Sequence, residues 1–222
     1  NTMSTGLGMH GGIVNRATFL VWGVQNIDKF GFDEHINIGN NANEIIEQMI
    51  DGVSTFNDEL VSPKELEDWV AKKISNVDPV KDIEEYDLMH RLDNLCRMYK
   101  EYVKFKSAID AMDFDDLIVK SYKLLSDSKY SHILHRMQKK FKYILVDEFQ
   151  DNNFAQFSLV EKIAKDGNIT AVGDPDQNIY RFQGAYTQIF EHFRKAFPKC
   201  KEIFLPKNYR NPKSVIEFSS EV

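Results

Sequence analysis

The chain has 222 residues, 42% of them apolar and 28% charged, and a net charge of −6; this is the profile of a soluble globular protein with one sizeable core, or one core plus a small insert. The acidic balance excludes a broad electrostatic coat for nucleic acid, though not a local groove. The apolar stretch at 17–27 is too short and too polar to span a bilayer, and Cys96 and Cys200 have neither metal-site spacing nor disulfide density, so no membrane partner is expected and a reducing cytoplasm is the expected location.

Residues 1–12 are rich in Gly, Ser and Thr and read as a frayed end. Gly6, Gly8 and Gly11 formally fit G-x-G-x-x-G, but they follow no strand, so a dinucleotide site is not inferred. Residues 13–30 read as weakly helical. Phe30, Gly31 and Phe32 then punctuate the chain, and a second helical pattern opens at 44–49. Ser62, Pro63 and Glu65 make a strong helix start: a capping hydroxyl, a proline at the first helical position and a glutamate that can close the capping box. Leu88, Leu92, Leu95, Tyr99, Tyr102 and Val103 recur at helical spacing, a stripe of the kind that packs in a core or between helices. Asp113 is placed to cap a further helix carrying Leu117, Ile118, Tyr122 and Leu125. From Tyr143 onward, strand and helix alternate, the α/β pattern. No internal repeat or low-complexity linker interrupts the chain.

The string YILVDEFQD at 143–151 is the most informative feature. Its apolar run reads as a buried strand, with Asp147 and Glu148 at the carboxyl end, where an open α/β sheet places its ligand crevice. One carboxylate can hold a hydrated Mg²⁺ and the next can orient or deprotonate a water. The plainer alternative is a strand followed by a solvated acidic turn, with Asp151 capping the next helix. A second apolar strand, ITAVGD at 169–174, runs into PDQNIYRFQGA at 175–185. A third block, FLPKNYRNP at 204–212, follows a helical stretch. There Ile203, Phe204 and Leu205 read as strand, and Asn211 and Pro212 as the start of a last helix.

These three blocks, in this order, resemble motifs II, III and IV of the UvrD/Rep family of superfamily 1 DNA helicases. Asp113, Phe114, Asp115, Asp116 and Leu117 resemble the D-F-D-D-L segment that precedes motif II in the family. The resemblance implies an α/β fold: a partial RecA-like parallel-sheet lobe of P-loop NTPase type with an inserted helical subdomain. The implied divisions are 1–39 as the N-terminal helical part of the lobe, 40–108 as the insertion, and 109–222 as the α/β lobe with its motifs. It also implies ATP and Mg²⁺ as cofactors, single-stranded and duplex DNA as partners along with the rest of a helicase chain, 3′-to-5′ polarity, and a place in DNA repair. By resemblance Asp147 holds the metal, Glu148 activates water, and Gln150 belongs to the nucleotide-site network. Gln177 senses the γ-phosphate, Tyr209 stacks on adenine, and Arg210 reaches the γ-phosphate. Tyr180 and Phe182 are the expected DNA-stacking rings, because every base has a π-face.

Two departures stand out. Phe182 and Gln183 occupy positions where many relatives carry Trp and Arg, which removes a cation near the DNA. No G-x-x-x-x-G-K-[ST] occurs in the sequence, so the phosphate-cradling loop is missing. The expectation is therefore an internal piece of a helicase, inactive alone. Its rivals are a non-catalytic DNA- or protein-binding module derived from such a motor, and a piece of a helicase–nuclease subunit. The absent central strand sets a further expectation for the sheet. Three outcomes are open: the strands matching 169–173 and 202–205 close on each other, another segment or chain fills the slot, or the last strand is displaced. Filling or displacement is preferred, because direct closure would crowd the helices on both faces.

Overall fold

A computed structural model describes residues 12–36, 39, 41–177, 188–207 and 209–212. The helical half begins with α1 (Arg16–Gln25), capped by Asn15, whose Oδ1 accepts the Thr18 N–H at 2.9 Å. Phe19 on α1 is fully buried. Its ring meets Tyr102 edge-on at 4.3 Å between centroids and stacks on Trp22 at 5.4 Å. Gly31 takes φ 58° just after the turn at Ile27–Phe30, a left-handed conformation that glycine adopts without a Cβ clash.

Three longer helices follow: α2 (Ala42–Asp58), α3 (Pro63–Ile74) and α4 (Ile83–Ala108). On α2 the buried residues Ile46, Met49, Ile50, Val53 and Asn57 lie on one face, at the spacing of an amphipathic helix. The expected Ser62 capping box forms in both directions, with Pro63 in the first turn of α3. The α4 stripe is core in its middle. Tyr99 and Tyr102 are buried, and Leu92 and Leu95 pack half-buried against the core, while Leu88 and Val103 remain exposed. Met89 beside Leu88, and Phe105 and Lys106 beyond Val103, are buried, so those two positions are open by the face they occupy and not by lying past the end of the core.

Asp113 caps α5 (Phe114–Ser126) in a second capping box, with Asp116 reaching back to the cap. The same two carboxylates hold Lys106, which is 3% exposed. Its Nζ lies 2.7 Å from both Asp113 Oδ2 and Asp116 Oδ2, and the Tyr102 hydroxyl donates to Asp113 Oδ2 at 2.5 Å. The D-F-D-D-L segment thus starts a helix and neutralises a buried cation at the end of α4.

Helix α6 (Ser131–Lys140) leads into the α/β half. Strand β1 (Ile144–Val146) pairs in parallel with β2 (Ile169–Ala171), Ile144 opposite Ile169 and Val146 opposite Ala171, through the crossover helix α7 (Phe154–Ile163). Helix α8 (Ile189–Ala196) follows. A second core gathers Phe149, Phe157 and Ile189, with Val146, Ala171, Phe190 and Phe193 against it. The chain is a helix-rich α/β protein with a small parallel sheet of two strands among the described residues.

Two expectations need correction. The run at 143–146 is covered on one side only: Ile144 and Val146 are half-buried, but Leu145 is 80% exposed and Tyr143 is also exposed. A strand alternates faces, and no described element lies over the second face. Residues 201–207 form no strand; they are irregular, and Ile203, Phe204 and Leu205 are exposed. A strand needs a ladder partner, and no described strand pairs with this segment, so its β-favouring side chains do not make it one. Among the described residues, the sheet therefore does not pair with 202–205. Residues 213–222 and the expected last helix lie outside the described residues. Among the described residues, no helix is long and apolar enough to cross a membrane.

Candidate functional site

Both motif loops leave the same edge of the sheet, because parallel strands put their carboxyl ends side by side. The ladder continues past the strands: Val172 N–H donates to Val146 O at 2.8 Å, and Phe149 N–H to Val172 O at 2.9 Å. Asp147 follows β1 directly and is exposed, with its Oδ1 accepting the Glu148 N–H at 3.0 Å. Glu148 sits at φ 47°, ψ 47°. The left-handed region costs a residue with a Cβ about 1–2 kcal/mol, and such outliers gather at functional sites. The turn lifts the Glu148 carboxylate out of the strand line, while Phe149 next to it is buried in the second core.

Gln150 joins the two loops. It is 2% exposed. Its Nε2 donates to Glu148 Oε2 at 2.8 Å, and its Oε1 accepts the Asp174 N–H at 3.0 Å. Gly173 makes this possible: a Cβ there would lie 2.5 Å from Gln150 Oε1 and 3.0 Å from the Phe149 nitrogen. The amide is thus committed to Glu148 and the second loop. Asp151 is exposed and does not cap α7; Asn153 does, in a capping box with Gln156. Gln177 is exposed at the end of the second loop, its Nε2 donating to Asp174 Oδ2 at 2.7 Å.

The structure brings Asp147, Glu148, Gln150 and the 173–177 loop to one edge. Tyr209 and Arg210 lie exposed on the irregular segment after 201–207, with the Lys207 ammonium 4.8 Å from the centre of the Tyr209 ring. The expected DNA-stacking residues Tyr180 and Phe182 lie outside the described residues. Among the described residues, no group of three or more His, Cys, Asp or Glu is arranged to hold a metal. A single exposed carboxylate such as Asp147 fits Mg²⁺, which commonly takes one or two carboxylates and completes its shell with phosphate oxygens and water.

Sequence reasoning missed a second polar junction. Asn153 Nδ2 donates to Asp58 Oδ1 at 2.5 Å, tying the end of α2 to the start of α7. This junction borders a cleft of about 290 Å³ lined by Asn57, Asp58, Phe114, Asp115 and Gln156, among others, away from the motif loops. Burial, reinforced by the charges of Asp115 and Glu59, pushes the Asp58 carboxyl up to about 7. Asp58 and Asn153 are separated by 95 positions, and neither belongs to a motif, so only the packed helices reveal the pair.

Acidic and amide-bearing loops at the carboxyl edge of a parallel sheet define an α/β protein with polar side chains gathered where open α/β sheets generally place their ligand crevice. The chain belongs to the UvrD/REP helicase N-terminal domain family, whose model matches residues 20–198. It is similar to the ATP-dependent DNA helicase PcrA of Staphylococcus epidermidis strain RP62A, 41% identical over 129 residues, which cover 58% of this chain and 17% of that protein. It is also similar to the ATP-dependent DNA helicase PcrA of Staphylococcus aureus strain Mu50, 40% identical over 129 residues with the same coverage. The match thus spans about a sixth (17%) of the length of these relatives.

Proposed function

We propose that this chain is part of the first motor lobe, RecA-like and of P-loop NTPase type, of an ATP-dependent DNA helicase that couples ATP hydrolysis to movement along single-stranded DNA with 3′-to-5′ polarity. Within it, residues 1–39 and 109–222 belong to the lobe and 40–108 form its helical insertion. The observation that carries this reading is the Gln150 latch, which holds the strained Glu148 turn against the loop leading to Gln177. A change at one loop is felt at the other through one buried amide. The names and family membership of the relatives support the same reading.

In this reading Asp147 holds Mg²⁺, which supplies charge neutralisation at the phosphates when bound. Glu148 orients the attacking water and accepts its proton at the carboxylate. Gln177 faces the terminal phosphate from the second loop, where an amide can both donate and accept. Tyr209 and Arg210 close the site from the segment after 201–207, with the guanidinium fork matched to phosphate oxygens. Tyr180 and Phe182 stack on DNA bases. The test is strand displacement by the longer protein carrying this chain, on partial duplexes with a 3′ or a 5′ single-stranded tail. ATP-dependent unwinding of the 3′-tailed substrate is expected. No ATP-dependent displacement on either substrate contradicts the reading.

A further inference from the structure

Helix α6 and its flanks carry charge of one sign only. Between Asp127 and Asp147 there is no acidic residue, whereas Lys129, Arg136, Lys139, Lys140 and Lys142 fall in that interval, in a chain of net charge −6. The helix packs through one side: Ile133, Leu134 and Met137 are half-buried, and Gln138 Nε2 donates to Lys162 O on α7 at 2.9 Å. The other side is open. His132, His135, Arg136 and Lys139 follow the i, i+3, i+4, i+7 spacing of a single helical stripe and are exposed. With Ser131 they line an open concavity of about 480 Å³.

Several exposed lysines elsewhere face carboxylates, as Lys64 faces Asp68, Lys81 faces Asp78 and Lys104 faces Glu101. Among the described residues, none of the five cations at 129–142 lies within ion-pair distance of an acid. Like charges at helical spacing repel one another, so this stripe is balanced best by a polyanion from outside the chain. The stripe's only rings are the small imidazoles of His132 and His135, with no Phe, Tyr or Trp among them, whereas surfaces that track single strands present large aromatic rings for bases to stack on. Duplex DNA carries about one negative charge per 1.7 Å of its axis, the denser and stiffer row of phosphates for a straight helix of ten residues to lie against.

We propose that the exposed face of α6 docks the phosphate backbone of duplex DNA, at a place separate from the two motif loops. The proposal shares with the motor reading only the premise that DNA is the partner. The contact carries no sequence information, since it is made to phosphate oxygens by Arg136, Lys139 and Lys140. It would hold the duplex while the motif loops act on nucleotide.

The test measures fluorescence anisotropy of a labelled blunt duplex, a single strand of equal length and labelled poly-glutamate, each titrated with the 222-residue chain over a range of salt concentrations. The triple variant Arg136→Gln, Lys139→Gln, Lys140→Gln removes charge at exposed positions, and its circular dichroism and Tm should match the unmodified chain. It should flatten the plot of log affinity against log salt by about 0.9 per lost contact, about 2–3 in all. Duplex binding at low salt should weaken about ten-fold or more, with a smaller loss for the single strand. Lys81→Gln with Lys104→Gln, whose ammoniums already face acids, should leave slope and affinity unchanged. An unchanged slope in the triple variant, equal loss for single strand and duplex, or poly-glutamate binding as tight as duplex would each overturn the proposal. None of these outcomes bears on ATP hydrolysis, so failure here and failure of the motor reading are separate results.

Discussion

At the scale of single residues, the two motif loops meet at positions where one atom more or less decides the geometry. Gly173→Ala places a methyl group against Gln150 Oε1 and the Phe149 nitrogen. One of the two loops must shift and the Asp174–Gln150 hydrogen bond is strained, at a cost of about 1–3 kcal/mol; the urea midpoint of the chain should fall accordingly. Asp58 gives a prediction of opposite sign. Its carboxyl is raised from 3.8 to about 7, so the fold holds a proton that the unfolded chain releases. The stability it contributes is fully present below the ordinary carboxylate pKa and is lost as pH rises through about 7. Asp58→Asn retains an oxygen for Asn153 and cannot ionise. It should match the unmodified chain near pH 3, begin to exceed it as pH rises above the ordinary carboxylate value of 3.8, and exceed it at pH 8 by on the order of 1–3 kcal/mol once solvent screening is allowed for. The motif residues were legible in the sequence because their chemistry is local: an acidic pair after an apolar run, an amide after Gly-Asp. The left-handed turn at Glu148 was not legible, since nothing in a glutamate marks a positive φ. The Asp58–Asn153 bond was not legible either, because it depends on how α2 and α7 pack.

At the scale of elements, the junction between α4 and α5 is held by a buried polar cluster of Lys106, Tyr102 and Asp113 with Asp116 beside it. Burial opposes charge on Asp113, but the hydrogen bonds from Lys106 and Tyr102 and the Lys106 charge outweigh it and hold the carboxyl below the ordinary range. The contribution is therefore present at neutral pH and lost as pH falls through the lowered pKa. Lys106→Met leaves the buried Asp113 without its cation, beside a half-buried Asp116 that keeps only the Lys120 ammonium at 3.7 Å, at a cost of about 3–5 kcal/mol at pH 7. Because acid removes the same interaction from the unmodified chain, the gap between the two proteins should narrow at pH 3. Denaturant titrations at both pH values measure it; a gap that stays constant would mean the cluster contributes packing and not charge. Helix starts were readable at this scale, since Ser62, Pro63 and Glu65, and Asp113 with Asp116, cap where their side chains predict. The strand at 202–205 was misread because β-propensity describes a side chain, whereas a strand exists only beside a partner. The one-sided exposure of β1 has the same origin, since an apolar run shows what a strand can bury but not whether a second layer is there to cover it.

At the scale of the whole molecule, the chain combines a well-filled helical core with an α/β half whose sheet has two strands among the described residues and an uncovered apolar face. The sequence holds no phosphate-cradling G-x-x-x-x-G-K-[ST], so the chain alone should hydrolyse ATP at background rate, with or without single-stranded DNA. A steady-state phosphate-release assay checks this, and DNA-stimulated turnover by the chain alone would contradict it. The most direct test of the central claim, that the edge formed by Asp147, Glu148 and the 173–177 loop is half of an ATP motor, is Glu148→Gln in the longer protein. Glutamine keeps the size of the side chain and an oxygen for Gln150 to donate to, but it cannot take a proton from water. ATP affinity should hold within a few-fold, and single-turnover hydrolysis should fall by about 10²–10⁴. Hydrolysis that continues at the unmodified rate while ATP still binds would contradict the account.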